Sequence, residues 1–104
     1  MINELLGTGE GEAKTAATLA EVLKIDSRIV MEQIRTERLS GILICSTSHG
    51  YFMPGNDLEI NHTISRLYKM ARENRKVAQA MQEARDKRAA AKEDKKREDS
   101  IHDN

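Results

Sequence analysis

The chain has 104 residues, of which 38% are hydrophobic, 33% charged and 3% aromatic. This length allows one small domain with an extension, and the scarcity of aromatic residues predicts a small aliphatic core. The formal net charge of zero hides an asymmetry: residues 1 to 55 carry five Lys/Arg against seven Asp/Glu (net −2), and residues 66 to 97 carry twelve against five (net +7). Attraction to nucleic acid is therefore expected mainly in the C-terminal half.

Cysteine content and hydropathy indicate the compartment. Cys45 is the only cysteine, which excludes an intrachain disulfide and favours a reducing environment. No stretch approaches the ~18 apolar residues that a membrane-spanning helix needs. The N-terminus also lacks the basic region and apolar run of a secretion signal. The sequence therefore predicts a cytoplasmic protein.

A glycine-rich segment, GTGEGEA, follows the short apolar start MINELL, and its three glycines break any helix. The pair Lys14-Thr15 next to these glycines invites comparison with the phosphate-binding motif G-x-x-x-x-G-K-[ST]. That motif requires glycines where this chain has Thr8 and Ala13, and the two nearby glutamates would repel phosphate. We interpret the segment as a flexible loop before a capped helix.

Two short helices are predicted next. Thr15 is a suitable N-cap for AATLAEVLK, and Asp26 for SRIVMEQIRTERLS, which Gly41 ends. The spacing of Val30 and Ile34 turns them toward the core. Two short helices separated by about three residues form a helix-turn-helix pattern.

The stretch GILICSTSHGYFMPG predicts a short β-hairpin. Ile42 and Ile44 share one face of the first strand, and Tyr51 and Met53 share one face of the second. The turn falls within Ser46 to Gly50, where glycine can take a positive φ. Because an isolated two-stranded hairpin is marginal in water, this hairpin must pack on the preceding helices, as the wing of a winged helix does.

From about Asp57 the sequence is helical again, with positions that step alternately by fours and threes. These positions are Ile60, Ile64, Leu67, Ala71, Asn74, Ala78 and Met81. Beyond about Asn74 the pattern is longer than one small domain can cover, so homodimerisation is the simplest explanation, and an asparagine in such a pattern often fixes register. The residues assigned to oligomerisation are Leu67, Ala71, Asn74, Val77, Ala78 and Met81.

Three segments are therefore expected: a winged helix-turn-helix domain over 1–55, a long helix over 56–84, and a charged helical extension over 85–104. The long helix is expected to pack on the domain or on a second subunit. The extension is expected to fray into a disordered end, SIHDN. The predicted fold class is mainly α with a small β-hairpin, a winged helix-turn-helix followed by a long C-terminal helix.

The sequence contains no recognisable catalytic or metal-binding pattern. No Asp or Glu lies near Ser48, His49 and Cys45 to orient the histidine for nucleophilic chemistry. His49, His62 and His102 have no metal-ligand spacing with one another or with Cys45. The sequence therefore predicts no enzyme, no cofactor and no metal site.

Two basic surfaces are candidates for nucleic-acid contact. In a DNA reader, arginines on the free face of the second helix would reach guanine edges or phosphates. The alternative is an ordinary solvated face with Arg28–Glu32 and Glu32–Arg35 pairs, and the spacing does not separate the two. Further along, Arg66, Lys69, Arg72, Arg75 and Lys76 follow the long helix, either as phosphate contacts or as a solubilising face.

The order of these elements resembles small winged helix-turn-helix proteins encoded by phages and prophages of Gram-positive bacteria. The resemblance covers roughly residues 13 to 84: a capped helix, an Ile-Asp turn, a recognition helix, strands GILI and GYFMP, and a long helix rich in Arg and Ala. It implies a DNA-binding module for phage gene regulation or DNA replication, in the cytoplasm of a bacterial host. The chain departs from the pattern at Glu37, where many such helices have an apolar residue, and in a wing without Lys or Arg.

The DNA-contact positions combine those implied by the resemblance with the basic helix. They are Ser27, Arg28, Met31, Glu32, Arg35 and Arg38 on the second helix, Ser46, Thr47, Ser48 and His49 in the wing, and Arg72, Arg75 and Lys76 on the long helix. The alternative function is a protein-interaction module that binds and modulates a host replication or transcription protein. A DNA reader should depend on Arg28 and Arg35, and a protein binder on residues such as Val77 and Met81.

Overall fold

The computed structural model describes the backbone of residues 1 to 102 and the side chains of residues 1 to 94. These residues form the helices α1 (Ala16–Leu23), α2 (Ser27–Leu39) and α3 (Asp57–His102) and the strands β1 (Cys45–Thr47) and β2 (Gly50–Phe52). Two short 3-10 helices, Ile2–Leu5 and Glu10–Glu12, precede α1. The fold class is the predicted one: mainly α with a small antiparallel hairpin, a winged helix-turn-helix followed by a long helix.

The predicted helix caps are confirmed. The Thr15 side chain accepts a hydrogen bond from the backbone N–H of Thr18 at 3.1 Å, and Asp26 accepts one from that of Arg28 at 2.8 Å. Each satisfies a donor that the first helical turn leaves without a partner. Between the helices Lys24 adopts the left-handed conformation with φ 55°, which ends α1 and lets α2 start in a new direction.

Apolar side chains from nearly every element of the domain pack together in the core. Its buried residues are Ile2, Leu19, Val30, Ile34 and Ile44, and partly buried side chains of Ile42, Tyr51 and Met53 pack against them. The inward positions expected for α2 and the bracing of the hairpin against the helices are therefore confirmed. On the hairpin itself, paired residues Cys45 and Phe52 are also buried.

The hairpin is shorter than the sequence indicated. The first strand begins at Cys45 rather than Ile42, and the turn consists of Ser48 and His49 between β1 and β2. The expected strand start fails because the Ile42 N–H bonds the Glu37 carbonyl at 3.1 Å, at the end of α2. The Ile42 N–H is therefore not available for pairing with a second strand.

The glycine-rich segment is not the flexible loop expected from its composition. The N–H of Gly9 donates to the Met53 carbonyl and that of Met53 to the Gly7 carbonyl, both at 2.8 Å. Lys14 and Tyr51 exchange two further backbone hydrogen bonds at 2.8 and 2.9 Å. The segment therefore pairs with Met53, directly after β2, and Lys14 pairs with Tyr51 on the edge of β2 that β1 leaves open.

The first turns of α3 are tied to the domain. Asn56 accepts the Glu59 N–H at 2.9 Å as a helix cap, and the Thr63 hydroxyl accepts the Ser46 N–H at 3.1 Å. Accordingly the first compact unit is Met1–Leu67, and the second begins at Tyr68 within α3. The sequence predicts a disordered end for SIHDN, residues 100 to 104. The backbone is helical through His102, and residues 103 and 104 lie outside the described residues.

Candidate nucleic-acid interface

The outer face of α2 is the surface that the sequence assigned to DNA. Because Val30, Ile34 and Glu37 are buried on one side of the helix, residues about half a turn away point outward. All of the predicted residues except Arg38 are exposed: Ser27, Arg28, Met31, Glu32 and Arg35. Leu39, which the sequence did not single out, extends this face and is 77% exposed.

One of the expected intrahelical pairs is present on this face. Arg28 Nε lies 3.9 Å from Glu32 Oε1, and the two side chains are 85% and 70% exposed. A pair this long and this exposed contributes little to stability. Arg28 can therefore exchange Glu32 for another anion at small cost.

Arg38 has a different place from the one predicted. Its Nε donates to the Ile44 carbonyl at 2.9 Å and its Nη2 to the Ser46 hydroxyl at 3.1 Å. The guanidinium also lies 5.7 Å from the centre of the Tyr51 ring, within cation–π range. Arg38 therefore joins α2 to the hairpin, and we remove it from the residues free to contact DNA.

Burial changes the electrostatics of Arg38 without neutralising it. Desolvation lowers the pKa of the guanidinium, and the nearby Tyr51 and Cys45 side chains act in the opposite direction. Arginine starts so far above neutral pH that it stays charged. A partly buried charge needs hydrogen bonds in place of lost water, and two donors of Arg38 have partners at Ile44 and Ser46.

Few of the predicted wing residues are free to contact DNA. The Ser46 hydroxyl accepts a hydrogen bond from Arg38, and the Ser46 N–H donates one to the Thr63 hydroxyl. Thr47 is half-buried and accepts the His49 N–H at 3.2 Å. Ser48 and His49 are exposed at the tip, so only these two of the four predicted wing residues are free to contact a ligand.

In the second unit, the basic and the apolar side chains of α3 form two different surfaces of the helix. Lys69, Arg72, Arg75 and Lys76 are exposed, and Lys76 Nζ lies 3.6 Å from Glu73. The residues predicted for oligomerisation are exposed as well: Leu67, the last residue of the first unit, and Ala71, Asn74, Val77, Ala78 and Met81 in the second. The structure therefore leaves both predicted surfaces of α3 accessible.

An apolar groove of about 390 Å³ lies between the first 3-10 helix, the end of α1 and the start of α2. Its apolar lining is formed by Met1, Ile2, Leu5, Leu23, Ile25 and Ile29. The sequence does not indicate this groove, because Leu23 and Ile29 belong to two separate predicted helices. Their proximity depends on the crossing of α1 and α2.

The described residues do not meet the requirements of three further features: a metal site, an accessible thiol and a membrane-spanning helix. In that part of the chain, no cluster of three or more His, Cys, Asp or Glu could hold a metal ion. Cys45 is 1% exposed, so its thiol is covered. Within the same residues, no helix combines the length and the apolar character needed to cross a bilayer.

Comparison of the chain with known protein families, with curated proteins and with solved structures gives no match. The fold and the surface therefore define the class by themselves. It is a winged helix-turn-helix domain with an exposed, arginine-bearing second helix and a long helix that continues past the domain.

Proposed function

We propose that this protein binds duplex DNA through the outer face of α2 and acts in phage gene regulation or DNA replication. The observation that carries the proposal is the placement of Arg28 and Arg35 on one exposed face of the second helix of a helix-turn-helix. The phage setting rests on the resemblance in the order of elements.

The spacing of the two arginines suits a DNA groove. Arg28 and Arg35 are seven residues apart, which corresponds to about 10.5 Å along a helix and nearly two full turns. The major groove is roughly 12 Å wide and admits one helix. Both guanidinium groups can therefore reach base edges or flanking phosphates from the same docked helix.

Charge determines how strong such binding can be. The net charge of −2 over residues 1 to 55 opposes a DNA backbone, whereas Arg66 to Lys76 carry five basic residues against one acidic residue. The attraction therefore depends on a few short-range arginine contacts and on the basic part of α3. Binding should be moderate and should weaken steeply with salt.

The test is fluorescence anisotropy with a labelled duplex at low salt. The variant Arg28→Ala/Arg35→Ala should bind at least about tenfold more weakly, since each specific arginine contact contributes about 1–3 kcal/mol. A matched control is Lys14→Ala/Lys24→Ala, which removes the same charge from other positions of the first unit. Equal losses in both double variants would show that net charge, rather than the α2 face, governs binding.

A protein-interaction module is the second candidate, and the apolar groove beside α1 and α2 favours it. The groove and the 77% exposed side chain of Leu39 are apolar surfaces of the kind that marks protein-interaction sites. In this case the partner is a host replication or transcription protein. The wild-type chain would then fail to bind DNA even at low salt, and Ile29→Asp or Val77→Asp would abolish binding to that partner.

A further inference from the structure

A continuous apolar surface runs along α3 beyond the domain. It consists of Leu67, Met70, Ala71, Asn74, Val77, Ala78, Met81 and Ala84, here called the α3 stripe. The exposed fraction rises along it, from 41% at Leu67 to 58% at Val77 and 68% at Met81. Large apolar side chains at this exposure, contiguous on one face, indicate a surface that another molecule covers.

The stripe repeats every seven residues. Leu67, Asn74 and Met81 form one series, and Met70, Val77 and Ala84 form the second. Two positions per heptad, separated by three and then four residues, are the pattern by which helices pair as a coiled coil. A repeat of seven against 3.6 residues per turn also keeps the stripe facing a partner that follows the same repeat.

Charge placement favours a second copy of the same helix. Lys69 and Lys76 each follow a stripe position by two residues, which puts them about 200° around the helix and away from a partner. One side of the stripe is formed by its own small members Ala71 and Ala78. The other side is bordered by Arg66 and Glu73, which carry opposite charges. Two copies can therefore approach without like-charge repulsion at the contact.

We infer that two copies of this chain pair through the α3 stripe as a parallel, in-register dimer with Asn74 facing Asn74. Asn74 is the polar member of an otherwise apolar set. Its amide has both donors and an acceptor, so two copies at the same level can satisfy each other. An antiparallel or shifted pair would place that amide against an apolar side chain and leave it unsatisfied. The inference does not depend on DNA binding.

The size of the stripe determines its strength. From Leu67 to Ala84 the stripe is about 26 Å long at ~1.5 Å per residue, with a width close to one helix. This is smaller than the roughly 800 Å² per partner of a standard stable interface. The dimer should therefore be reversible, with a dissociation constant in the micromolar range.

Sedimentation equilibrium of the full chain over a concentration series tests the pairing. The wild-type chain should pass from monomer to dimer, and Val77→Asp should remain monomeric. Gln79→Asp introduces the same charge on the opposite face and should dimerise like the wild type. A chain that stays monomeric up to about 0.5 mM, far above a micromolar dissociation constant, would overturn the inference. So would a dimer that Val77→Asp leaves intact.

Cysteine crosslinking tests the orientation. In a parallel, in-register pair, Met81→Cys puts two thiols at one level and leaves Asn74 in place. A disulfide can form there because it needs Cα atoms within about 7 Å. Oxidation should therefore yield a covalent dimer of Met81→Cys but not of Gln79→Cys, and the buried Cys45 should not react. A dimer that persists without crosslinking at position 81 would overturn the parallel register.

Discussion

The Glu37 carboxylate binds the backbone of Ile2, 35 residues earlier in the chain: its Oε2 accepts the Ile2 N–H at 3.1 Å. Oε1 accepts the N–H of Asn3 at 2.9 Å, and the Gln33 side chain donates to the same carboxylate. The first N–H groups of a helix lack partners within it and favour a negative charge. The acid that departs from the apolar pattern of α2 is therefore the anchor of the first 3-10 helix.

Replacing Glu37 should destabilise the domain. Glu37→Leu leaves the amides of Ile2 and Asn3 without an acceptor, and we expect a loss of about 1–3 kcal/mol in the free energy of unfolding. Urea denaturation measures this loss. Glu37→Gln, which keeps an acceptor oxygen, should lose less, and Glu32→Leu on the exposed face should change stability by under about 0.5 kcal/mol. Equal stability of Glu37→Leu and wild type would contradict the anchoring role.

Alanine substitutions at three glycines distinguish the cost of backbone strain from the cost of a steric clash. Gly50 has φ +129°, and an added Cβ would collide with the Lys14 carbonyl oxygen. Gly41 has φ +101° with open space around it, and Gly11 has open space without the unusual φ. Thermal denaturation should rank the alanine variants accordingly: Gly11→Ala near neutral, Gly41→Ala lower by about 1–2 kcal/mol, and Gly50→Ala lowest.

That ranking depends on the pairing of the glycine-rich segment with β2. If Gly50→Ala is no worse than Gly41→Ala, the close approach of Lys14 to the wing is absent in solution. The pairing of that segment would then be contradicted.

Arg38 should affect folding more than binding. Arg38→Ala removes two hydrogen bonds between α2 and the hairpin, so the free energy of unfolding should fall by about 1.5–3 kcal/mol. Arg35→Ala, an exposed neighbour on the same helix, should change stability little while weakening DNA binding. A stable Arg38→Ala protein that no longer binds DNA would return Arg38 to the contact surface.

Glu59 links stability to pH. Its carboxylate accepts the N–H of Gly55 at 2.7 Å and that of Glu10 at 2.9 Å, and these bonds lower the pKa of Glu59 below its usual value. A depressed carboxyl pKa adds stability above the unfolded value of about 4.3, and this stability is lost as the pH falls through the folded pKa.

Urea titrations from about pH 7 to pH 3 should therefore show that Glu59→Gln is less stable than wild type at neutral pH. The difference should shrink in acid, as the wild-type carboxyl takes up its proton. Glu83→Gln, on an exposed turn of α3, is the control. A difference that stays constant across this range would contradict the role of the charged form.

Local signals made much of the fold predictable. The caps at Thr15 and Asp26, the periodicity of Val30 and Ile34, and the polar turn before Gly50 each act within a few residues. Such signals specify helices and a hairpin almost independently of the rest of the chain. This is why the order of elements and the inward faces could be read from the sequence.

The contacts that assemble the site could not be read in this way. Glu37 with Ile2 and Arg38 with Ser46 join separate elements of the fold. Without these partners, Glu37 is a departure from the apolar pattern of its helix, and Arg38 belongs to the free face. The composition of the glycine-rich segment predicts a flexible loop, because glycine lowers helix and strand propensity. Its pairing with β2 depends instead on the close approach that Gly50 permits.

The most direct measurement of the central claim is the salt dependence of DNA binding by anisotropy, for wild type and Arg28→Ala/Arg35→Ala. The wild-type chain should bind at low salt, and the logarithm of its association constant should fall linearly with the logarithm of salt concentration. The double variant should bind more weakly, with a slope smaller by about 1–2 if the arginines contact phosphates. Absence of wild-type binding at about 50 mM salt, where phosphate attraction is strong, would contradict DNA recognition by α2.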